Sequence, residues 1–421
     1  MRPWIAMSGA SIRDKRLSAA ARTLIDLLQP AGGSAAAERL RALPMQAWED
    51  AYALALQHNV ASLLQRALEE GGVFAELPAP LRARFAAQRR ATALDNLRNY
   101  GEFRRIAHAL RERGIPLIAL KGLHLSELVY RDISLRPMSD LDILVPRAQV
   151  EPALATLLAM EFELNGGIPS GYDTVLVHRR LDILVEVHWS LGQAGEAYTP
   201  PIEDIWRCAV PARLGDADAL VMAPEFLLLH VCAHLAYHHL FAFDLRALCD
   251  IAQIIRAYPA LDWDTVADQG RRHGWERGVA AALQVARDQL GAAVPAQVLA
   301  ALGGDALDPG LLADALAQLG TFSGIPHELQ FSPKLMALKS PIGRMAKLGI
   351  LWSRIFVPRA ELALIYNVPQ HSARLNFYYV LRLRDLLRRY ASTVGELNAC
   401  GSDLAASSAR NARLARWING A

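Results

Sequence analysis

The spacing of apolar residues divides the chain into a helical beginning, a strand-rich middle and a helical remainder. From residue 18 to residue 113 apolar positions recur three to four residues apart, as in Leu24, Leu27 and Leu28, which is the spacing of amphipathic helices. After the turn residues 114–116 short runs with strand character follow, and beyond about Pro200 helical spacing returns, broken by prolines. We therefore predict an α+β fold, in which a small mixed-sheet core is embedded in a mostly α-helical chain.

The middle region carries the most specific pattern. An apolar run over residues 117–120 precedes Lys121-Gly122 and an amphipathic stretch over 123–130, which predicts a strand, a glycine turn and a helix. Alternation predicts a strand over 140–145, and residues 172–189 alternate twice, as in a hairpin or two adjacent strands. The segments that we expect are an N-terminal helical region, the α/β core, a helical domain packing on that core and a basic helical C-terminal region, over residues 1–112, 113–195, 196–300 and 301–421.

Composition narrows the class of protein. Of the 421 residues, 52% are hydrophobic and 21% charged, which excludes a disordered or collagen-like chain, and the net charge of +3 permits an anionic ligand without requiring one. The four cysteines include no C-x-x-C pair and the sequence starts without a signal-peptide pattern, so we expect reduced thiols and a cytoplasmic location. The most apolar stretch, residues 226–243, carries four histidines and predicts a buried helix rather than a transmembrane segment.

Two strands of the predicted core carry acidic residues on one face. Asp140 and Asp142 alternate with Leu141 and Ile143, so both carboxylates point to the same side of a strand, where they repel each other unless a cation lies between them. A hard divalent ion such as Mg²⁺ or Mn²⁺ is the natural partner of such oxygen ligands.

The same alternation over residues 182–189 places Asp182, Glu186 and His188 on a shared face, and Glu186 supplies a third carboxylate if the two strands are neighbours. An isolated D-x-D is more often the solvated face of an edge strand. The longer order of strand, Lys-Gly turn, helix, Arg-Pro loop and two acidic strands favours a functional site.

These motifs resemble a known family. The segments are LKGLHLSELVYRDISLRPMSDLDILV and LDILVEVHW, and they resemble the nucleotidyltransferase superfamily with a polymerase-beta-type fold, most closely its branch of uncharacterised nucleotidyltransferases. The specific similarity covers residues 115–189, with a looser one over 246–251, and the region before Arg113 contributes nothing to it. As in that branch, Lys121-Gly122 stands where the polymerase-type motif has Gly-Ser.

The resemblance implies a metal-dependent transfer of a nucleoside monophosphate from an NTP, with ATP binding as one option, to an acceptor hydroxyl or phosphate. Asp140, Asp142 and Glu186 would be the catalytic and metal-binding residues for Mg²⁺ or Mn²⁺. The nucleotide-binding residues would be Lys121, Gly122, Arg136, Ser139 and His188, of which His188 is equally well explained by a hydrogen bond within the sheet. The acceptor, a small molecule, a peptide or a carrier, stays open, and the branch suggests an accessory role in a biosynthetic gene cluster.

Three further features have a functional and a structural interpretation. His230, His234 and His238 lie along one helix face, where a polar strip beside the active site is favoured over a zinc site. Asp244, Arg246 and Asp250 could contact base or acceptor, but the i, i+4 spacing of Arg246 and Asp250 also suits a simple helix ion pair. The basic tail over residues 334–416 could bind RNA, an acidic lipid surface or an anionic carrier, but its arginines have the spacing of a solvated helix face. The residues that suggest this are Arg382, Arg384, Arg388 and Arg389 around Tyr378, Tyr379 and Tyr390.

Two alternative functions follow from the same residues. A toxin-like nucleotidyltransferase that modifies RNA would use the basic tail to bind nucleic acid. A non-catalytic adaptor that binds a nucleotide or a protein would explain the missing serine after Gly122. Three clustered acids in the core argue against the adaptor, since a binding module has no use for them.

Overall fold

The computed structural model describes most of the first 320 residues and parts of the remainder. The described residues are 17–29, 42–165, 172–192, 202–242, 245–304, 307–320, 352, 356, 359, 362, 371–372, 375–384 and 401–418. Of the basic tail, Arg382 is described and is buried, so it does not lie on the solvated helix face that we expected. Arg388, Arg389 and Tyr390 of the same tail, together with Asp244 and Cys400, lie outside the described residues.

Four helices precede the sheet. They are α1 (Ala19–Leu28), α2 (Met45–Gln57), α3 (Ala61–Glu70) and the 34-residue α4 (Ala79–Glu112). Local sequence sets their starts: the Ser18 hydroxyl accepts a hydrogen bond from the Ala21 amide at 3.1 Å, and α4 has a proline in its first turn, where a missing N–H costs nothing. The length of α4 lets it cover one face of the sheet and also reach the loop that follows the Lys-Gly turn.

A seven-stranded mixed sheet forms the centre of the fold. Its strands are β1 (Ile118–Ala119), β2 (Asp140–Leu144), β3 (Phe162–Leu164), β4 (Asp173–His178), β5 (Leu184–His188), β6 (Val210–Leu214) and β7 (Ala217–Val221). The order across the sheet is β3-β4-β5-β2-β1-β7-β6, with parallel pairs β5/β2 and β1/β7 and antiparallel pairs elsewhere. The strand pair predicted over 172–189 is therefore confirmed as the antiparallel pair β4 and β5.

The two faces of the sheet differ in what they bury. Leu141, Ile143, Val185 and Val187 share one face and belong to an apolar core with residues of α4 and of helix α6 (Val150–Ala159). The other face carries Asp142 and its neighbours, and the helices that follow the sheet pack beyond it. The period-2 alternation of β2 and β5 thus places the acids on the face opposite this core.

Helices surround the acidic face and continue to the end of the described chain. The first is α5 (Lys121–His124), which continues into a π-helical turn (Leu125–Val129), and α8 (Pro224–Ala233) continues likewise (His234–His238). Further helices in the described part of the chain are α7 (Ile202–Cys208), α9 (Leu245–Ala257), α10 (Trp263–Arg272), α11 (Glu276–Leu290), α12 (Ala296–Ala301), α13 (Pro309–Gly320) and α14 (Gly401–Ile418), and residues 375–384 are also helical.

The predicted α+β class with a mixed sheet inside a mostly helical chain is confirmed. The structure differs from the prediction at residues 210–221, where we expected helix and the chain instead forms the β6–β7 hairpin, which pairs with β1. These strands lie at an edge of the sheet and bury few side chains, so they lack the apolar pattern of a central strand. The segment boundaries 1–112, 113–195, 196–300 and 301–421 stay predictions. Among the described residues, no helix has both the length and the hydropathy that a bilayer crossing needs.

Candidate active site

The centre of the candidate site is formed by two neighbouring parallel strands. Asp142 of β2 lies directly opposite Glu186 of β5, and His188 follows two residues later on the same face. His188 Nε2 lies 2.9 Å from Asp142 Oδ1 and 3.4 Å from Glu186 Oε2. Ligand atoms of these three residues all lie within 4.8 Å of one another, and in the described part of the chain this is the one such group that could hold a metal ion.

Lys121 closes the site from the turn between β1 and α5. Its Nζ lies 3.7 Å from Asp142 Oδ1, and its φ of 33° places a non-glycine residue near the left-handed region. Such backbone strain costs on the order of 1–3 kcal/mol and persists where the surrounding structure holds it. In this turn the residue with positive φ is Lys121 and not the glycine that follows it. With this backbone conformation, the Lys121 ammonium group lies next to the Asp142 carboxylate.

The charged groups of the site shift one another's pKa values and so stabilise their charged forms. Burial would lower the pKa of His188, but its hydrogen bonds with Asp142 and Glu186 raise that pKa to about 9. Burial would raise the pKa of Asp142, but Lys121 and His188 hold it well below its usual range. The buried pair is therefore a carboxylate and an imidazolium at neutral pH.

Asp140 lies beside this group, outside the 4.8 Å cluster, and behaves differently. Burial, together with the charges of Asp142 and Glu186, raises the pKa of Asp140 to about 6. The neighbouring Ser139 hydroxyl donates a hydrogen bond to Asp140 Oδ1 at 3.1 Å. The charges of Asp142 and Glu186 thus act on the Asp140 carboxylate, although Asp140 does not belong to the 4.8 Å cluster.

The loop that leads into β2 is held by α4. The Asn96 side-chain amide donates to the carbonyls of Ile133 (2.6 Å) and Arg136 (2.8 Å) and accepts from the Met138 amide (3.2 Å). Asn99 donates to the Met138 carbonyl at 3.2 Å. Asn96 is fully buried, so these bonds satisfy loop groups that water cannot reach.

Arg136, which we predicted to bind phosphate, is held by a buried carboxylate in this structure. Its Nε and Nη2 donate to both oxygens of Asp250 on α9 at 2.9–3.1 Å, and the Tyr130 hydroxyl donates to the same carboxylate at 2.8 Å. The helix ion pair that we considered between Arg246 and Asp250 is therefore replaced by a long-range pair with Arg136. The two paired side chains are 7% and 3% exposed.

Gly122 is needed for the packing of this loop. A Cβ at this position would lie 2.9 Å from Met138 Cγ and 3.3 Å from Arg136 Nη1. The side chains of Met138 and Arg136 thus pack directly against the Gly122 backbone. This close packing leaves no room for a Cβ atom and explains the glycine at this position.

A cavity opens beside Lys121, the cation that pairs with Asp142. It is lined by residues of the Lys-Gly turn, its helix, the loop and the helices α8 and α9, namely Lys121, Leu125, Arg136, His230, Val231, His234, Arg246, Ala247 and Asp250. Burial, together with the charge of Lys121, lowers the pKa of His230 to about 3 and that of His234 well below its usual range, so both rings are neutral. His230 and His234 thus line this cavity, while the described residues show no zinc-type cluster along α8.

Sequence reasoning missed two residues at the site and misplaced one. Asp173 of β4 pairs in register with His188 and lies 3.9 Å from its Nδ1, and Asn96 supports the loop from α4. The period-2 pattern of β4 is the signal that could have identified Asp173, whereas a single asparagine in a long helix carries no comparable signal. Asp182, which we placed on the face of Glu186, precedes β5 in a turn with φ of 54° and so lies outside the strand.

Comparisons with known proteins agree with the resemblance. Residues 44–291 match the family described as uncharacterised nucleotidyltransferase, so the similarity also includes α2, α3 and α4, which we had left outside it. No curated protein sequence matches the chain. A solved structure of the antibiotic-resistance factor ANT(2'')-Ia aligns with 45% of this chain and 96% of its own at 14% identity, with a TM-score of 0.33, which is too low to carry an argument. The family match covers more than half of the chain, and the protein therefore belongs to the uncharacterised nucleotidyltransferase family, a family of enzymes.

Proposed function

We propose that this nucleotidyltransferase is metal-dependent and moves a nucleoside monophosphate from an NTP to an acceptor hydroxyl or phosphate at the face of β2 and β5. The observation that carries the proposal is the register of Asp142 opposite Glu186, which gathers two carboxylates and His188 within 4.8 Å, with Asp140 beside them. We infer that the reaction takes place in the cytoplasm, since Cys208, Cys232 and Cys249 are free thiols.

The chemistry of the donor set fits a hard divalent cation. Three carboxylates, those of Asp140, Asp142 and Glu186, face two cations, Lys121 and the imidazolium of His188, so the group carries an excess of negative charge at neutral pH. Carboxylate oxygens are the ligands that Mg²⁺ and Mn²⁺ prefer. When bound by Asp140, Asp142 and Glu186, such ions would stabilise the charge that develops on the attacking and leaving oxygens of phosphoryl transfer.

The residues of this chain would share the remaining tasks. Glu186, whose side chain is 27% exposed, orients the acceptor hydroxyl and accepts its proton as that oxygen bonds to the α-phosphorus. The bond from the α-phosphorus to the bridging oxygen breaks, and pyrophosphate leaves. Lys121 lies between the acids and the cavity and so contacts the triphosphate, while Gly122 and Ser139 keep the turn and the start of β2 in place.

The first test is transfer of label from α-³²P NTPs, beginning with ATP, in the presence of Mg²⁺ or Mn²⁺. The acceptors are offered as purified small-molecule, peptide and RNA pools, so that the size of the labelled species identifies the acceptor class. We expect Asp142→Asn to lower transfer at least about 100-fold, because it removes a group that stabilises transition-state charge. Glu163→Gln is the matched control, since Glu163 is an exposed acid of the same sheet.

A second measurement is independent of turnover. Mn²⁺ binding, followed by the paramagnetic signal of the free ion, should weaken at least tenfold in Asp142→Asn and stay unchanged in Glu163→Gln. Transfer and Mn²⁺ affinity that are both normal in Asp142→Asn would show that this carboxylate has no role in the reaction. Label that appears only in RNA would instead identify a toxin-like enzyme.

A further inference from the structure

The cavity beside Lys121 is positively charged. Three of its lining residues are cations, Lys121, Arg136 and Arg246, and its single carboxylate, Asp250, is neutralised by the buried bidentate pair with Arg136. The two histidines of the lining have lowered pKa values and add no charge. Of the three cations in the lining, Arg136 is neutralised by Asp250, and the other two are Lys121 and Arg246.

Arg246 differs from Arg136 in what its guanidinium contacts. It begins the first turn of α9, is half-buried, and donates through Nη1 to the Pro137 carbonyl at 3.3 Å. Among the described residues, none of the ion pairs includes Arg246. Arg246 lines the same cavity as Lys121, whose Nζ lies 3.7 Å from Asp142 Oδ1, so both cations are close to the acidic strands.

We propose that Arg246 is the arginine that binds the β- and γ-phosphates of the NTP, and that Lys121 and Arg246 together hold the leaving pyrophosphate in this cavity. The proposal rests on the proposed function and assigns to Arg246 the phosphate contact that the sequence had suggested for Arg136. A guanidinium can bind two phosphate oxygens at once through parallel N–H donors.

The charge of the cavity favours the leaving group over the acceptor as its occupant. Pyrophosphate gains negative charge as the bond to the α-phosphorus breaks, so cations placed around it stabilise the transition state more than the bound substrate. An acceptor hydroxyl needs a base beside it, and the carboxylate that lines this cavity, Asp250, is already paired with Arg136. His230 and His234 remain neutral and can donate hydrogen bonds to phosphate oxygens from α8.

The test measures equilibrium binding rather than transfer. Wild type, Arg246→Gln and Arg246→Lys are titrated with α,β-methylene-ATP, pyrophosphate and AMP in the presence of Mg²⁺, and the folding of each variant is checked by thermal unfolding. Arg256→Gln is the matched control, because Arg256 is an exposed arginine in the last turn of the same helix. If another nucleotide is the donor in the transfer assay, its methylene analogue and monophosphate replace those of adenosine.

We expect Arg246→Gln to weaken binding of the methylene analogue and of pyrophosphate roughly 10- to 100-fold, and that of AMP less than about threefold, since AMP lacks the two outer phosphates. The affinity of Arg246→Lys for these two ligands should lie between those of Arg246→Gln and wild type, because lysine keeps the positive charge but lacks the two parallel N–H donors of the guanidinium. If Arg246→Gln does not fold, the same binding comparison is made between Arg246→Lys and wild type.

The outcomes separate the two proposals. Wild-type protein that binds no NTP analogue and no pyrophosphate would remove the proposed function, and this inference with it. Wild type that binds them, alongside an Arg246→Gln or Arg246→Lys variant of equal affinity, would overturn the inference alone. An equal loss of AMP and analogue affinity would also overturn it, because it would show that Arg246 shapes the site without contacting the outer phosphates.

Discussion

The buried pair of Arg136 and Asp250 should be among the most sensitive points of the fold. Asp250→Asn keeps the shape of the side chain and removes its charge, so the 7%-exposed Arg136 loses the carboxylate that its guanidinium binds at 2.9–3.1 Å. Removing one partner of a buried ion pair costs about 3–5 kcal/mol, because the remaining charge stays desolvated. The Tyr130 hydroxyl, 2.8 Å from Asp250, also loses a charged acceptor. Urea unfolding followed by tryptophan fluorescence should show this loss as a lower midpoint.

The double variant Arg136→Met/Asp250→Leu provides the internal control. Since it removes both charges and fills the space with apolar groups, we expect it to recover most of the lost stability, to within about 1–2 kcal/mol of wild type. A cost below about 1 kcal/mol for Asp250→Asn would show that Arg136 finds another partner or water, and the argument from burial would be wrong. A double variant no more stable than the single one would show that the pair acts by its specific geometry rather than by its charge.

Three further predictions concern the surroundings of the site. Acid should destabilise the protein, because burial lowers the pKa values of His124, His230, His234 and His238 below the unfolded value near 6.5, so stability is lost as pH falls below that value. Between pH 7.5 and 5.5 the three histidines with pKa values of about 3 to 4, His124, His230 and His238, together cost about 4 kcal/mol, and His234 acts in the same direction. The raised pKa values of His188 and Asp140 offset about 2 kcal/mol of this, and a urea midpoint that stays constant over this range would contradict the assignment. Gly122→Ala should cost about 1–3 kcal/mol through the clash with Met138, and Met138→Ala in the same chain should restore stability; an unchanged midpoint in the single variant would show that the loop yields. Asn96→Ala should leave buried carbonyls unpaired and speed hydrogen exchange over residues 132–139, and exchange as slow as in wild type would mean that other groups hold this loop.

The central strands and the acidic face could be predicted because their signal is local. Alternation with a period of two assigns Asp140 and Asp142 to one face of a strand wherever that strand lies. The resemblance added the order of the motifs. Alternation within a strand does not specify the register between strands. The sequence therefore placed Glu186 beside Asp142 only if the two strands were neighbours, and the structure shows that they are, with these two residues directly opposite each other.

The contacts of Arg136 could not be read from the sequence because they connect distant segments. Its carboxylate partner, Asp250, lies 114 positions further along the chain, and Asn96, which holds its carbonyl, lies 40 positions before it. An arginine next to a proline in a motif has the same appearance whether its guanidinium meets a ligand or a buried aspartate. The β6–β7 hairpin was missed for a different reason. It lies at one end of the sheet and buries few side chains, so its sequence has little alternation of apolar and polar residues to detect.

The site therefore contains two kinds of buried charge, and they limit what each residue can do. The pair of Arg136 and Asp250 is buried and joined by three hydrogen bonds, and Tyr130 donates to the same carboxylate, so together they hold the loop that packs against Gly122. The group around Asp142 differs from this pair, because its carboxylates outnumber its cations and because Lys121, which lies 3.7 Å from Asp142, also lines the cavity. Excess negative charge therefore lies at the strands, and the positive charges of Lys121 and Arg246 line the cavity beside Lys121. That separation suits a substrate whose reacting phosphate needs a metal and whose leaving group needs arginine and lysine, which is the polarity that nucleotidyl transfer requires.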